Sequence, residues 1–231
     1  AGDGSVRIWN TATGEAVGHP LRGHRDEAIR SVAWSPDGTR LASADDDTTV
    51  MLWDPTTGQP VGRPLGGGAH KPQGDTTSGA VAWSPDGTRL AAAGKDDTVV
   101  LWNVSTGQQV GKALSSGGIW SVAWSPDGSR LATAGWDNTV RLWEVRTGRA
   151  VGKPLRGHTT WVTSVTWSPD GTRLAYTVPT DTTHVVDLRK RGDDWELAPA
   201  ADATSITDQL QAAAPRVTES QAGRSAAAAA S

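Results

Sequence analysis

The sequence predicts an all-β protein built from repeated antiparallel units, and three observations lead to this prediction. Near-identical stretches begin at Val32, Val81 and Val122 (VAWSPDGTRLAS, VAWSPDGTRLAA and VAWSPDGSRLAT). Each of these units carries two tryptophans 19 residues apart, whereas the units recur after 49 and 41 residues, and a fourth stretch, VTWSPDGTRLAY, begins 43 residues later at Val165. The chain has 12 Trp but one Tyr and no Phe, which indicates that Trp is copied at fixed positions. Self-similarity at this period is typical of repeat architectures.

Each unit has the pattern of four short strands. The stretch SPDG places Pro, Asp and Gly where a tight turn needs them, so it joins a first strand to a second. A polar loop (ADDDTT, GKDDT or GWDNT) then precedes a third strand, TVxLW, with alternating apolar residues. A turn ending in Gly leads to a short fourth strand. Proline in this strand suits an exposed outer edge, because it cannot donate to a ladder, and it occurs at Pro20, Pro64 and Pro154.

Four antiparallel strands in about 40 to 45 residues are the pattern of a propeller blade. The pairs Gly23-His24, Gly157-His158 and Trp53-Asp54 resemble the signature pairs of the WD-repeat β-propeller family, and the likeness covers about residues 1–190. The very regular SPDGTRLA repeats resemble bacterial-type WD repeats. The resemblance implies about four to five β-propeller blades, each of four antiparallel strands, in an incomplete or open ring.

The resemblance also implies a hydrogen-bonded network inside each blade. By position in the family pattern, the second unit supplies the complete set His24, Ser43, Asp47 and Trp53. Buried polar groups tolerate burial only when paired, so a complete set should make its blade rigid. The unit around Trp102 lacks the hydroxyl and the unit around Trp143 lacks the histidine, and we expect both to be less stable.

The tryptophans that recur in register are expected to be internal. They should form the core between and within the blades and should not be ligand residues. They are Trp34, Trp53, Trp83, Trp102, Trp124 and Trp143.

The units predict a division of the chain. It comprises a partial first blade (1–23), a blade (24–65), a blade with a long first loop (66–114), a blade (115–155), a degenerate blade (156–191) and an Ala-rich, largely disordered tail (192–231). The last blade is degenerate in sequence. Val186 stands 19 residues after Trp167, where the second tryptophan is expected, and Thr180 takes the Asp position. A short helix is predicted over Thr204–Ala213. The blade count favours a fragment of a longer array over self-association of two chains that complete one ring, or over an open arc.

Composition excludes several classes of function. A net charge of −3 lacks the basic excess that nucleic acid needs, and the absence of Cys excludes disulfides and thiolate metal sites. Apolar runs are far shorter than the roughly 18 residues of a membrane span. The run Asp45-Asp46-Asp47 lacks the Gly and distal Glu of a calcium loop. We therefore predict a cytoplasmic protein with no metal, cofactor, nucleic-acid or membrane partner.

Variation between the units predicts where a partner binds. The second–third turns and the connections between blades share one face, and these loops vary whereas the SPDG turns do not. The candidate partner-binding residues are Trp136, Lys95, Asp46, Arg25, Trp161 and Trp120. Trp136 is the strongest, since no blade needs an aromatic at that turn. In the alternative interpretation Trp136 lies flat over a neighbouring loop, and Trp120 and Trp161 pack between blades.

These features predict a non-catalytic binding scaffold for a protein or peptide, as part of a larger protein. One alternative is the sensor region of a multidomain bacterial signalling ATPase. Another is a propeller enzyme that uses the central channel, although no catalytic grouping in the sequence supports it.

Overall fold

The computed structural model describes residues 4–24, 28–66, 79–94, 97–156, 160–179, 184–191 and 194–199, with only the backbone and the Val186 side chain in the last two ranges. Every regular element in these ranges is a β-strand, which confirms the all-β prediction. The strands form one two-stranded sheet and four four-stranded antiparallel sheets. Strands follow chain order within each sheet, and no sheet of the described ranges closes the ring, so these blades form an open arc.

We call the two-stranded sheet the half-blade and number the complete sheets in chain order. The half-blade consists of β1 (Ser5–Trp9) and β2 (Ala16–Arg22). Blade 1 consists of β3 (Ile29–Trp34), β4 (Leu41–Asp45), β5 (Thr49–Trp53) and β6 (Leu65–Gly66). Blade 2 consists of β7 (Val81–Trp83), β8 (Arg89–Ala93), β9 (Thr98–Asn103) and β10 (Leu114–Ser115).

Blades 3 and 4 repeat this arrangement. Blade 3 consists of β11 (Ser121–Trp124), β12 (Arg130–Ala134), β13 (Val140–Glu144) and β14 (Arg149–Leu155). Blade 4 consists of β15 (Ser164–Trp167), β16 (Arg173–Thr177), β17 (His184–Arg191) and β18 (Asp194–Pro199).

The SPDG stretch forms the turn between first and second strands in all four blades, as predicted. In blade 1 the Gly38 amide donates to the Ser35 carbonyl at 2.9 Å, and Gly38 has a φ of 70°, where a Cβ would be unfavourable. The Ser35 hydroxyl donates to the Asp37 carboxylate at 2.6 Å, and the Thr39 amide donates to it at 3.0 Å. These hydrogen bonds, that of Ser35 first, lower the pKa of Asp37 to about 2.

The apolar core lies between neighbouring blades. At the junction of blades 1 and 2, Trp83 and Leu90 belong to one buried cluster with the small side chains of Ala42 and Ala44. Equivalent clusters fill the next two junctions. Alanine on one side lets a bulky residue of the next blade approach the backbone. Complete burial of a side chain such as Leu90 contributes about 2 kcal/mol to the free energy of unfolding. Each blade is therefore stabilised mainly by the blade beside it.

One hydrogen bond recurs at every junction between complete blades. The indole nitrogen of the first-strand tryptophan donates to the carbonyl of an alanine in the first strand of the preceding blade. The pairs are Trp83 to Ala33 at 3.0 Å, Trp124 to Ala82 at 3.1 Å and Trp167 to Ala123 at 3.1 Å. This bond satisfies the polar atom of a buried indole and fixes the spacing of adjacent first strands.

The prediction of a buried core position is confirmed for four of the repeated tryptophans, namely Trp53, Trp83, Trp124 and Trp143. It is wrong for Trp34, which is 49 % exposed. The sheet that precedes blade 1 is the half-blade. Among the described residues it has no first strand that could cover the Trp34 indole or offer it a carbonyl.

Trp102 is only partly buried, which also differs from the prediction. In blades 1 and 3 the equivalent indoles donate to a hydroxyl of the second strand, Trp53 to Ser43 at 2.8 Å and Trp143 to Thr133 at 3.0 Å. Blade 2 has Ala92 at this place, so the second strand offers no hydroxyl to Trp102.

A hydrogen-bonded network fills the interior of blade 1. His24 contacts Ser43 through Nε2 at 2.6 Å, and its Nδ1 lies 2.6 Å from the carboxylate of Asp45. The carboxylate is thus that of Asp45 and not that of Asp47, which corrects the predicted assignment. Asp45 stands two residues after Ser43 at the end of β4, and alternation along a strand puts both side chains on one face. Its second oxygen accepts the amides of Asp47 and Thr49 at 3.0 and 2.9 Å.

Blade 4 is more regular than its sequence predicts. Val186 pairs with Leu174, as Trp53 pairs with Leu41 in blade 1, so the third strand keeps its register without its tryptophan. β18 lies within the predicted tail, which moves the end of the sheet from residue 191 to Pro199. The compact unit covers Ala1–Pro199, and the predicted helix lies outside the described residues.

Candidate functional site

Three tryptophans lie together on the face formed by the second–third turns and the connections between blades. The ring centroids of Trp120 and Trp136 are 4.8 Å apart with an interplanar angle of 30°. Those of Trp136 and Trp161 are 5.1 Å apart at 58°. These separations are within the range of direct aromatic contact. We call the three residues the tryptophan cluster, and Trp136 is its central member.

Three separate segments supply the cluster, and backbone hydrogen bonds hold them together. Trp136 belongs to the turn between β12 and β13, whereas Trp120 and Trp161 precede the first strands of blades 3 and 4. The Trp120 amide donates to the Ala134 carbonyl at 2.8 Å. The amide of Val162, next to Trp161, donates to the Gly135 carbonyl at 3.1 Å. The cluster therefore has a rigid base at the junction of two blades.

Close backbone packing beneath the cluster requires glycine. A Cβ at Gly135 would lie 1.6 Å from the carbonyl oxygen of Gly118, which no real side chain can do. A Cβ at Gly118 would lie 2.8 Å from Cδ1 of Trp136. Trp136 thus rests on the loop that contains Gly118, as the alternative interpretation from sequence predicts, and it contacts the other two tryptophans as well.

The cluster is only partly covered. Trp161 is 39 % exposed, and Trp120 and Trp136 are partly buried. The indole nitrogens of Trp120 and Trp136 are buried and have no hydrogen-bond partner within the described part of the chain. Asp137, the residue after Trp136, forms an ion pair with Arg141 at 2.7 Å. The surface thus combines an aromatic patch with a charged pair beside it.

The other three predicted partner-binding residues do not join the cluster. Asp46 holds the equivalent turn position in blade 1 and forms a two-pronged ion pair with Arg30, at 2.5 and 2.8 Å. The hydrogen bond that Asp46 accepts from Arg30 raises the pKa of that guanidinium, and Asp46 is buried. Its carboxylate therefore ties the turn to β3. Lys95 and Arg25 lie outside the described residues.

Sequence reasoning missed two members of the internal networks. Ser116 contacts the hydroxyl of Thr133 at 2.5 Å, so blade 3 has a polar partner for Thr133 although it lacks the histidine. The signal for it is a Ser-Ser pair shortly before the blade, whereas the segments before blades 1 and 4 contain Gly-His. The signal for Asp45 is that it differs from its counterparts, because the next two blades have glycine at this position, Gly94 and Gly135.

Within the described ranges, no three His, Asp or Glu side chains are grouped so that they could hold a metal ion. The same residues contain no helix that is long and apolar enough to cross a membrane.

A protein-family model, described as "WD domain, G-beta repeat", matches the chain four times. The matches cover residues 15–54, 70–103, 108–144 and 149–183, which together make up more than half of the chain. The chain therefore belongs to the WD40 repeat family. Proteins of this family are generally non-catalytic and mediate protein–protein interactions. The first match runs from β2 to the end of blade 1's third strand, so one sequence repeat links two neighbouring sheets. A search of curated proteins found no significant match.

Proposed function

We propose that this chain is a non-catalytic scaffold that binds a protein or peptide through the tryptophan cluster. The observation that carries the proposal is the contact of Trp136 with both Trp120 and Trp161 at a turn position where blade 1 has Asp46 and blade 2 has Lys95. A WD blade does not need an aromatic at that position. The cluster is therefore a particular feature of this junction.

The chemistry of the cluster suits a partner with an apolar side chain. Tryptophan is enriched among the residues that dominate binding energy, because it buries a large area and keeps one polar atom. The half-exposed indole of Trp161 offers the apolar contact. The neighbouring Asp137–Arg141 pair offers polar contacts at the edge, as in interfaces with an apolar centre and a polar rim.

The competing explanation is that the cluster only packs blades 3 and 4 together. The two explanations differ most at Trp161, the most exposed of the three residues. If the cluster is only packing, Trp161→Ser should lower stability, since more than half of this large side chain is buried, and should change no binding. If the cluster is a binding site, the same change should remove affinity while the fold persists.

The experiment is selection of peptides from a random display library on the immobilised chain. Selected peptides should bind the Trp161→Ser and Trp136→Ala variants at least about tenfold more weakly. Trp9→Ser is the matched control, since Trp9 is also an exposed tryptophan but belongs to the half-blade. Equal binding to the parent and to both cluster variants would refute the proposal, and so would failure to select any peptide.

A further inference from the structure

A cavity of about 270 Å³ lies between blades 1 and 2, at the end of the junction where the second–third turns are. Blade 1 supplies Thr48 of its second–third turn and Gly66 of β6. Blade 2 supplies the rest of the lining within the described ranges, chiefly Gly94, Val100 and Trp102. The tryptophan cluster lies at the junction of blades 3 and 4, so the two sites are separate.

One wall of the cavity is set back because a short side chain stands where the neighbouring blades have long ones. Val100 pairs with Ala92 of the second strand in blade 2. The residues at the same register position are Met51 in blade 1 and Arg141 in blade 3. The space that a methionine or arginine side chain would fill is therefore open in blade 2.

The opposite wall is glycine backbone. Gly66 of β6 corresponds to Arg22 of β2 and to Ser115 of β10 by its place in the strand pairing. A Cβ at Gly66 would lie 3.5 Å from Cζ2 of Trp102, so this glycine faces the indole across the junction. A larger residue at Gly66 would narrow the cavity.

Blade 1 shows how a side chain of the protein fills the equivalent space. Met51 is buried in a cluster with Trp53. A Cβ at Gly23 would lie 2.8 Å from Cε of Met51 and 3.0 Å from Cη2 of Trp53, so the tip of the methionine lies near the edge of the indole ring. In blade 2 the cavity takes the place of that methionine.

The indole N–H of Trp102 is available to a ligand. The equivalent indoles of blades 1 and 3 donate to a second-strand hydroxyl at 2.8 and 3.0 Å, whereas blade 2 has Ala92 there. The Trp102 nitrogen is also not enclosed, unlike the nitrogens of Trp120 and Trp136. A ligand with an acceptor atom can therefore receive the hydrogen bond that no hydroxyl of the second strand receives.

Charge and volume define the class of ligand. The described residues that line the cavity carry no charge, and an ion would lose its hydration there without a partner, so the ligand is neutral. A cavity of roughly 150 Å³ holds benzene, and drug-sized ligands need roughly 300 Å³ or more. The volume of about 270 Å³ therefore suits one or two fused rings.

We propose that this cavity is a binding site for a small, neutral, planar molecule of one or two rings that carries a hydrogen-bond acceptor. The ring packs against the indole of Trp102 and the backbone of Gly66, and the acceptor receives the Trp102 indole hydrogen. This site is independent of peptide binding by the tryptophan cluster.

The test is a titration of the full chain with quinoline, followed by ¹H–¹⁵N NMR of Trp-labelled protein. Quinoline has two fused rings and one ring nitrogen that accepts a hydrogen bond, and it is uncharged at neutral pH. We expect saturable movement of the Trp102 indole signal, which is assigned by its absence from the spectrum of Trp102→Phe.

Val100→Met tests whether the ring occupies the cavity. It gives blade 2 the residue that blade 1 has at this register position, so the fold should persist and the affinity for quinoline should fall at least about tenfold. Val17→Met is the matched control, because Val17 is 44 % exposed in the half-blade, and it should leave the affinity unchanged. If circular dichroism shows that Val100→Met does not fold, Val100→Leu replaces it.

Ala92→Ser tests the hydrogen bond. It offers Trp102 the hydroxyl that Ser43 offers Trp53 in blade 1. It should weaken quinoline binding by about fivefold, the effect of one hydrogen bond. Naphthalene has the same shape and no acceptor, so its affinity should not change.

Four results would overturn the proposal. The Trp102 signal of the parent does not move with quinoline, or the parent and Val100→Met bind quinoline equally. Ala92→Ser weakens quinoline and naphthalene to the same extent. Quinoline moves the signal of Trp136 and not that of Trp102, which would place it at the tryptophan cluster instead.

Discussion

The Nδ1 atom of His24 lies 2.6 Å from the carboxylate of Asp45, and both side chains are buried in blade 1. The pair joins the segment before the blade to the end of its second strand. Because Asp45 also accepts two amides of the following turn, one carboxylate organises both the turn and the contact with histidine.

Replacement of Asp45 tests this arrangement. Asp45→Ala removes three hydrogen-bond acceptor contacts of a buried carboxylate, so the free energy of unfolding should fall by about 2 to 3 kcal/mol. Asp47→Ala, the position expected from sequence, should cost less than about 1 kcal/mol. Urea denaturation of both variants measures the difference. A larger loss from Asp47→Ala would show that the network uses Asp47 instead.

Thr48 has a left-handed backbone, which is unfavourable for a β-branched residue. Its φ is 60°, and the equivalent residue of blade 3, Asn138, has a φ of 59°. Asparagine tolerates this region better, so Thr48→Asn should stabilise the protein by about 1 kcal/mol. Asn138→Thr is the reciprocal control and should destabilise it by a similar amount. Thermal unfolding measures both variants. A shift of both melting temperatures in the same direction would contradict strain at Thr48.

The SPDG turns predict a specific dependence on acid. Hydrogen bonds, first from Ser35 and from Ser168, lower the pKa values of Asp37 and Asp170 to about 2. These values lie below the roughly 3.9 of an unfolded chain, so the turns contribute stability above about pH 4 that is lost as the pH falls towards 2. Carboxyl carbon NMR titration measures both groups. Ser35→Ala should raise the pKa of Asp37 and leave that of Asp170 unchanged, and a common shift of both would contradict a local cause.

The base of the tryptophan cluster should tolerate no side chain at Gly135. A Cβ there meets the Gly118 carbonyl oxygen at 1.6 Å, so Gly135→Ala should destabilise the protein by about 3 kcal/mol or more. Gly14→Ala is a control for glycine replacement, because Gly14 has open space around it and a φ of 72°. It should cost only about 1 to 2 kcal/mol for the left-handed backbone. Equal losses measured by urea denaturation would refute close packing at Gly135.

The repeated parts of the structure could be predicted from sequence, and the parts that depend on a neighbour could not. Spacing and turn chemistry identified the strand that ends at Trp53 and even placed Val186 at its counterpart in blade 4. The exposure of Trp34 was not predictable from its own unit, since burial there depends on the sheet beside it.

The candidate site shows the same limit. The variable face identified Trp120, Trp136 and Trp161 one by one, but their mutual contact depends on three segments that pack on glycine backbone. The choice between Asp45 and Asp47 depends on which side chain strand alternation directs towards His24, whereas the family pattern alone assigned Asp47.

The stacking of WD blades through indole–carbonyl hydrogen bonds is tested most directly by hydrogen exchange of the indole N–H groups, followed by ¹H–¹⁵N NMR of Trp-labelled protein. The indoles of Trp83, Trp124 and Trp167 donate across blade junctions and should exchange slowly, near the rate of global unfolding. The indoles of Trp9 and Trp34 should exchange rapidly, because both side chains are about half exposed. Rapid exchange of the first three, or protection of Trp34 equal to theirs in the chain alone, would contradict the stacking.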